Sequence, residues 1–275
     1  MEWKYYNHAM VPKGCEPNEV VDTSKLQDGT IWKAGGGTPL LARWTSDFDC
    51  GVETNWWYVI KDDEYDIRTL KAKRRYEITK ARKNFEVRVI DPQDYCDAMI
   101  DIQIEKLKTY PEKYRPSLER SRWDFKSWNG TYFGAFRKDE DGVATELCGF
   151  SLLSCGKKQI YFSLQTVLPE KERDGINAAL VDGILTHFQK ELSSGMYICD
   201  GARNLYHETY FQDYLEKYFG FRKAYCKLHI VYRPCVRWVI PILYVFRNFF
   251  KRLDHISVIH SINAVMRMEE ISRGV

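Results

Sequence analysis

Eight basic residues stand between positions 68 and 83: Arg68, Lys71, Lys73, Arg74, Arg75, Lys80, Arg82 and Lys83. Glu77 is the one acid among them. Guanidinium groups grip phosphate in bidentate fashion, as ammonium groups do not. On a helical wheel Lys71, Arg75 and Arg82 fall close together, with Arg74 and Lys80 flanking them. That stripe suits a ligand with several phosphates. A helix that needs only solvation usually alternates signs, so that charges four apart attract. The competing reading is a solvated face whose charges repel one another. On either reading, exchanging Arg75 and Arg82 for Glu is expected to leave stability unchanged or improved. A second set lies in "ICDGARN" and the stretch after it. Asp200 ends a short apolar run, at a strand's C-terminal end, where sheet ligands gather. It either exchanges a proton with a ligand or caps the turn it opens. His207 begins the next helical pattern and titrates near neutral pH, unless it only starts that helix. The eight cysteines show no CxxC pair and no His at ligand spacing. They read as reduced buried thiols, and no metal site is expected.

The elements that position these residues follow from periodicity. The chain has 275 residues with 44% hydrophobic and 29% charged, enough for one large domain or two small ones. Net charge is +3, so any basic surface arises from local clustering. "NWWYVI" reads as a buried strand. Asp66 is placed to cap a helix that runs to about Asn84. Asp91 and Pro92 open the next helix, with Tyr95, Met99, Ile102 and Leu107 along its core face. "SLERSRWDFKSW" reads as a second, shorter helix. "TYFGAFRK", "ATELCGFSLLS" and "QIYFSLQTV" then form an antiparallel meander. A long helix carries Ile176, Leu180, Ile184 and Phe188 on one face. The strand "MYICDG", a helix ending near Gly220 and the strand "RKAYCKLHIVYRP" complete the series. "AGGGTP" at 34–39 reads as a glycine-rich turn.

Residues 92–232 therefore run α-α-β-β-β-α-β-α-β. That order, with "YLEKYFGFRKAYCKLHIVY" at its end, resembles the GNAT (Gcn5-related N-acyltransferase) superfamily. "LKAKRRYEITKARKNFEVRVI" resembles the Arg-rich helix and following strand of Fem-type aminoacyl and peptidyl transferases, which use the same fold. The resemblance implies an α+β architecture: a mixed, mostly antiparallel sheet with helices on both faces, plus a helical C-terminal tail. It implies an N-terminal segment at 1–90, an acyltransferase core at 91–232 and a tail at 233–275. The activity implied is N-acylation of an amine on a cell-envelope or polysaccharide precursor, from acyl-CoA or aminoacyl-tRNA. The competing function is a non-catalytic module of the same fold that binds a phosphate-rich ligand.

The resemblance also implies where the site lies. The strands before and after the long helix splay apart, and the reacting groups meet between them. Gln165, Thr166 and Val167 stand on one side, with backbone N–H groups near Thr166 and Val167 holding the donor carbonyl. Asp200 stands on the other, to take a proton from the amine or bind it. Asn204 holds the donor or is an ordinary turn residue, and Tyr214 takes the place of a general acid or packs as an ordinary Tyr. Where the family binds the acyl-CoA pyrophosphate, this chain has "VLPEKERDGINAAL", aligning Glu172, Gly175 and Asn177 with the binding loop, with Arg173 beside them. Glu170, Glu172 and Asp174 depart from that pattern. They repel a pyrophosphate, or favourably cap the helix's positive end. The basic stripe of Lys71, Arg74, Arg75 and Arg82 is then expected to hold the phosphates of tRNA, a nucleotide sugar, a lipid-linked pyrophosphate or CoA.

The segment 236–252 interleaves Arg237, Arg247, Lys251 and Arg252 with Trp238, Tyr244, Phe249 and Phe250. Its apolar run is too short to span a bilayer. It reads as a peripheral membrane contact or as a face packed internally or in a homodimer. The start shows no apolar leader, so the expected compartment is the cytoplasm, with the inner face of the membrane as an alternative.

Overall fold

The computed structural model describes residues 1–33, 35–112, 115–203 and 210–274. The strands are β1 (Trp3–Tyr6), β2 (Ala9–Pro12), β3 (Leu41–Ser46), β4 (Trp57–Lys61), β5 (Phe85–Ile90), β6 (Thr131–Lys138), β7 (Ala144–Cys155), β8 (Gln159–Val167), β9 (Tyr197–Ala202), β10 (Arg222–Tyr225) and β11 (Lys227–Tyr232). The helices are α1 (Ser24–Gln27), α2 (Ala72–Asn84), α3 (Pro92–Lys108), α4 (Ile176–His187), α5 (Gln189–Ser193), α6 (Tyr210–Phe219), α7 (Pro234–Arg237), α8 (Ile240–Val245), α9 (Arg247–Lys251) and α10 (Ser257–Ser272). Two sheets form, with strand orders β1-β2-β3-β11 and β10-β4-β9-β8-β7-β6-β5. The chain divides into two compact units. The first holds residues 1–59, 202–210 and 223–275, and the second holds 60–201 and 211–222.

In the second unit the meander is antiparallel throughout: β5 with β6, β6 with β7, and β7 with β8. Alternation along β6 assigns its two faces. Tyr132 and Phe136 join Met99, Ile102 and Phe150 under α3. Phe133, one residue out of phase, meets His187 and Phe188 at the end of α4. Helices therefore cover both faces of the sheet, an α+β arrangement of the GNAT-like kind. α3 starts as its sequence dictates: the Asp91 carboxylate accepts from the Gln93 amide at 2.8 Å, with Pro92 in the first turn. α4 approaches β5 closely at Gly183, where a Cβ would lie 2.6 Å from a Val87 methyl.

Three elements differ from expectation. Asp66 caps only a 3-10 turn at Ile67–Thr69, and the helix restarts at Ala72. The Thr69 hydroxyl ties back to the Asp66 carbonyl, and Arg75 Nη1 donates to the Leu70 carbonyl at 2.7 Å, so the break has its own hydrogen bonds. Residues 117–128 form two 3-10 turns, Arg120–Arg122 and Phe125–Ser127, instead of one helix. This path buries Phe125 completely, with Trp123, Trp128 and Phe150 against its ring. The last strand is two. β10 belongs to the larger sheet, and after Cys226 β11 pairs with β3 from Lys227↔Ser46 to Tyr232↔Leu41.

In the first unit β2 and β3 run parallel and the other pairs run antiparallel. One face packs Leu41, Trp56, Leu228 and Met268 of α10; the other packs Trp3, Met10, Ile31 and Ala42. The alternation Leu41/Ala42 along β3 splits these two cores.

Candidate active site

β8 and β9 are parallel neighbours, and their ladder is short: Gln159↔Tyr197, Ile160↔Ile198 and Tyr161↔Cys199. On the opposite edge of β8 the register with β7 shifts between Leu152 and Leu153, which face Leu164 and Phe162. Ser163 is the extra residue of a β-bulge, and its hydroxyl meets that of Ser154 at 2.7 Å. A bulge bends and twists its strand. It falls two residues after the last β8–β9 pair, so the strands separate there. Asp200 is the first residue of β9 beyond that pair.

Asp200 is partly buried, and loss of water around its carboxyl pushes its pKa up to about 7 from 3.8, offset in part by a hydrogen bond from Gln212 of α6. The backbone beside it is special. Gly201 has φ +99°, and a Cβ there would meet the Tyr161 ring at 3.4 Å. The Gly201 amide donates to Cys199 Sγ at 3.1 Å. Burial raises the Cys199 thiol to about 12, so it stays protonated and inert. The site thus offers a carboxyl poised near neutrality where two parallel strands part.

The other anticipated residues are placed as follows. Gln165 bridges inward, accepting from Ser151 Oγ at 2.9 Å and donating to Asn177 Oδ1 at 3.0 Å. It joins β7, β8 and α4. Thr166 and Val167 pair with Phe150 and Gly149 of β7 and are buried. Arg173 is exposed on a 3-10 turn, Pro169–Asp174, that leads into α4. Gly175 adopts φ +91°, and a Cβ on it would lie 3.1 Å from Ala81 of α2. The start of α4 is therefore covered by the basic helix. Asn84 donates to the Asp174 carbonyl at 2.9 Å. Two of the loop's three acids are held by bases of other elements: Glu172 by Lys106 at 2.6 Å and Asp174 by Arg137 at 3.1 Å. Asn204 and His207 lie outside the described residues.

The basic stripe divides. Arg82 sends Nε and Nη2 to both oxygens of Asp182 on α4, at 2.7 and 2.8 Å. Asp182 is buried and also accepts from the Tyr65 hydroxyl at 2.7 Å. Arg74 turns inward too. It pairs with Glu77 at 2.6 Å and lies over the Tyr218 ring at 3.5 Å, with Tyr214 at 5.8 Å. Tyr214 sits among Phe211, Tyr218 and Phe219, and burial pushes its phenol well above the ordinary value. It is packed as an aromatic partner of Arg74. Lys71 and Arg75 are exposed, as are Lys73, Lys80 and Lys83. Tyr76 shares the face of the last three and is 71% exposed.

Sequence reasoning missed Tyr65, Asp182 and Gln212. For Asp182 a signal existed: it is the single acid within the apolar run "INAALVDGIL", which implies a buried partner. Among the described residues no group of His, Cys, Asp and Glu has the arrangement of a metal site.

No protein-family model matches the chain, and no curated protein matches it. Solved structures do. The chain is similar to the C-terminal domain of a protein assigned as a lysylphosphatidylglycerol synthetase from Agrobacterium fabrum, at TM-score 0.50 and 12% identity, covering 89% of this chain and 84% of that one. It is similar to FemX at TM-score 0.50 and 9% identity, covering 78% of each chain. At such identities the likeness is one of fold. The fold is GNAT-like, in the form shared with FemX.

Proposed function

We propose that the chain is an acyltransferase that moves an aminoacyl group from aminoacyl-tRNA to an amine, with Asp200 as the base. The observation that carries this reading is Asp200 itself, poised near pH 7 where β8 and β9 separate. An attacking amine is unreactive while protonated, and a base matched to neutral pH can both take its proton and return it. In this reading the neutral nitrogen attacks the ester carbonyl. The C–N bond forms, the ester C–O bond breaks, and the amine proton passes through Asp200 to the departing hydroxyl. Backbone N–H groups near Thr166 and Val167 are the oxyanion donors this reading requires.

The choice of tRNA over acyl-CoA rests on two further features. The start of α4 packs against Ala81 and Asn84, which leaves little room for a pyrophosphate. The outward face of α2 instead presents Lys73, Lys80 and Lys83 around an exposed Tyr76. Cations interleaved with an aromatic ring suit a nucleic-acid backbone and its bases. The acceptor class we infer is an amine on an envelope or polysaccharide precursor.

The test is transfer of label from a charged tRNA pool into amine-bearing material of a cell-envelope extract. Transfer that is lost in Asp200→Asn supports the reading. Transfer from labelled acetyl-CoA in its place would establish CoA as the donor. Retained tRNA binding with no transfer from either donor would establish a non-catalytic binding module.

A further inference from the structure

The stretch from Arg233 to Leu253 contains five basic residues, Arg233, Arg237, Arg247, Lys251 and Arg252, and no acid. It folds as the short helices α7, α8 and α9. Their apolar side chains point the wrong way for a core. Trp238 is 82% exposed, Ile242 60%, Val245 72%, Phe246 55% and Phe249 59%. These positions recur at i, i+4, i+7, i+8 and i+11, which is one face of a helical path. The opposite face anchors the segment to its own unit. Ile240 is buried, the Tyr244 ring has Arg247 and Arg273 at 4.3 Å each, and Asn263 of α10 donates to the Phe250 carbonyl at 3.0 Å. The exposed stripe is thus held in place on a packed support. Exposed apolar surface that is contiguous marks a partner surface.

Charge identifies the partner. Arg247 and Lys251 share Glu270, each at 3.1 Å. Arg237 and Arg252 are exposed and have no acidic partner among the described residues. A second copy meeting this face across a two-fold axis would bring the same cations against them, without an acid in either segment. An anionic bilayer supplies the missing charge and a medium for the aromatic rings together. Among the described residues no helix is long and apolar enough to cross a membrane, so the segment would lie along the surface.

We propose that this face docks on an anionic membrane surface, with Trp238, Val245 and Phe249 entering the acyl-chain boundary and Arg237 and Arg252 meeting lipid phosphates. The experiment is cosedimentation of the full chain with vesicles of phosphatidylcholine alone, or of phosphatidylcholine and phosphatidylglycerol in equal parts. Binding is expected only to the anionic vesicles, weakening as salt rises. Trp238→Ser with Phe249→Ser should reduce partitioning at least about tenfold. Arg237→Gln with Arg252→Gln should reduce it by roughly fivefold per residue at low salt. All four side chains are exposed, so thermal melts should match the parent. Equal binding to neutral and anionic vesicles, or none to either, overturns the proposal. So does a chain that is dimeric without lipid and becomes monomeric in Trp238→Ser with Phe249→Ser, which would make the face a homodimer contact.

Discussion

Asp200 is the residue on which the proposed chemistry turns, and its titration makes two separate forecasts. As a base it must be ionised, so transfer should rise with pH through about 7 and then level off. Asp200→Asn should abolish that rise along with the activity, read from initial rates across a pH series. The stability forecast has the opposite sign. The folded-state pKa lies above the ordinary 3.8, so the folded chain holds a proton that the unfolded chain gives up. This contribution is fully present below about 3.8 and is lost as pH rises through about 7. Above that, the folded protein keeps a poorly hydrated carboxylate. Asp200→Asn should therefore melt higher than the parent at pH 8, by an amount on the order of 2 kcal/mol. A variant that is inactive yet no more stable at pH 8 would point to a solvated carboxylate.

Helix α2 has two unlike faces, and the division is set by what α4 presents to it. Its inward cation, Arg82, neutralises Asp182, whose carboxylate is buried with the Tyr65 hydroxyl. Removing one partner of such a pair leaves a charge without water or counter-charge. Arg82→Gln should cost about 2–3 kcal/mol in urea unfolding, less than a fully buried pair because the Arg82 side chain is half exposed. The expectation that Glu at position 82 leaves stability intact is overturned on the same ground: it would set a second acid against Asp182. Arg75 differs, since its partners are carbonyl oxygens at the helix break. Its replacement should cost under about 1 kcal/mol. Equal costs at the two positions would remove the distinction drawn between the two faces.

At the scale of the whole molecule a net charge of +3 conceals two concentrated basic surfaces, one in each unit. The α2 face carries separated lysines and an exposed Tyr76; the α7–α9 face carries arginines beside an apolar stripe. The first geometry suits a phosphate polymer with bases, the second a lipid surface. Lys73→Glu, Lys80→Glu and Lys83→Glu combined should weaken tRNA binding and flatten its salt dependence, by about one unit of slope for each phosphate that no longer meets a cation. Filter binding at two ionic strengths reads this, beside a melt expected to be unchanged because none of the three has a structural partner among the described residues. Unchanged affinity at low salt would mark the face as solvated only.

The order of elements was legible in the sequence because local periodicity and local signals specify it. Asp91–Pro92 starts α3, the apolar runs of 131–167 parted by short polar turns make the meander, and Ile176, Leu180 and Ile184 mark the buried face of α4. The position of Asp200 near the end of a strand was legible for the same reason. What the sequence left open was decided by contacts between residues far apart in the chain. Charge density alone did not separate Arg82, which meets Asp182 a hundred positions away, from Lys80, which meets solvent. Local alternation carried no sign that the last strand would break at Cys226, where its halves join different sheets. Nor did composition tell whether the apolar side of 238–249 would face a core or water. A hydrophobic period fixes which side chains share a face, while the direction of that face depends on where the rest of the chain has already packed.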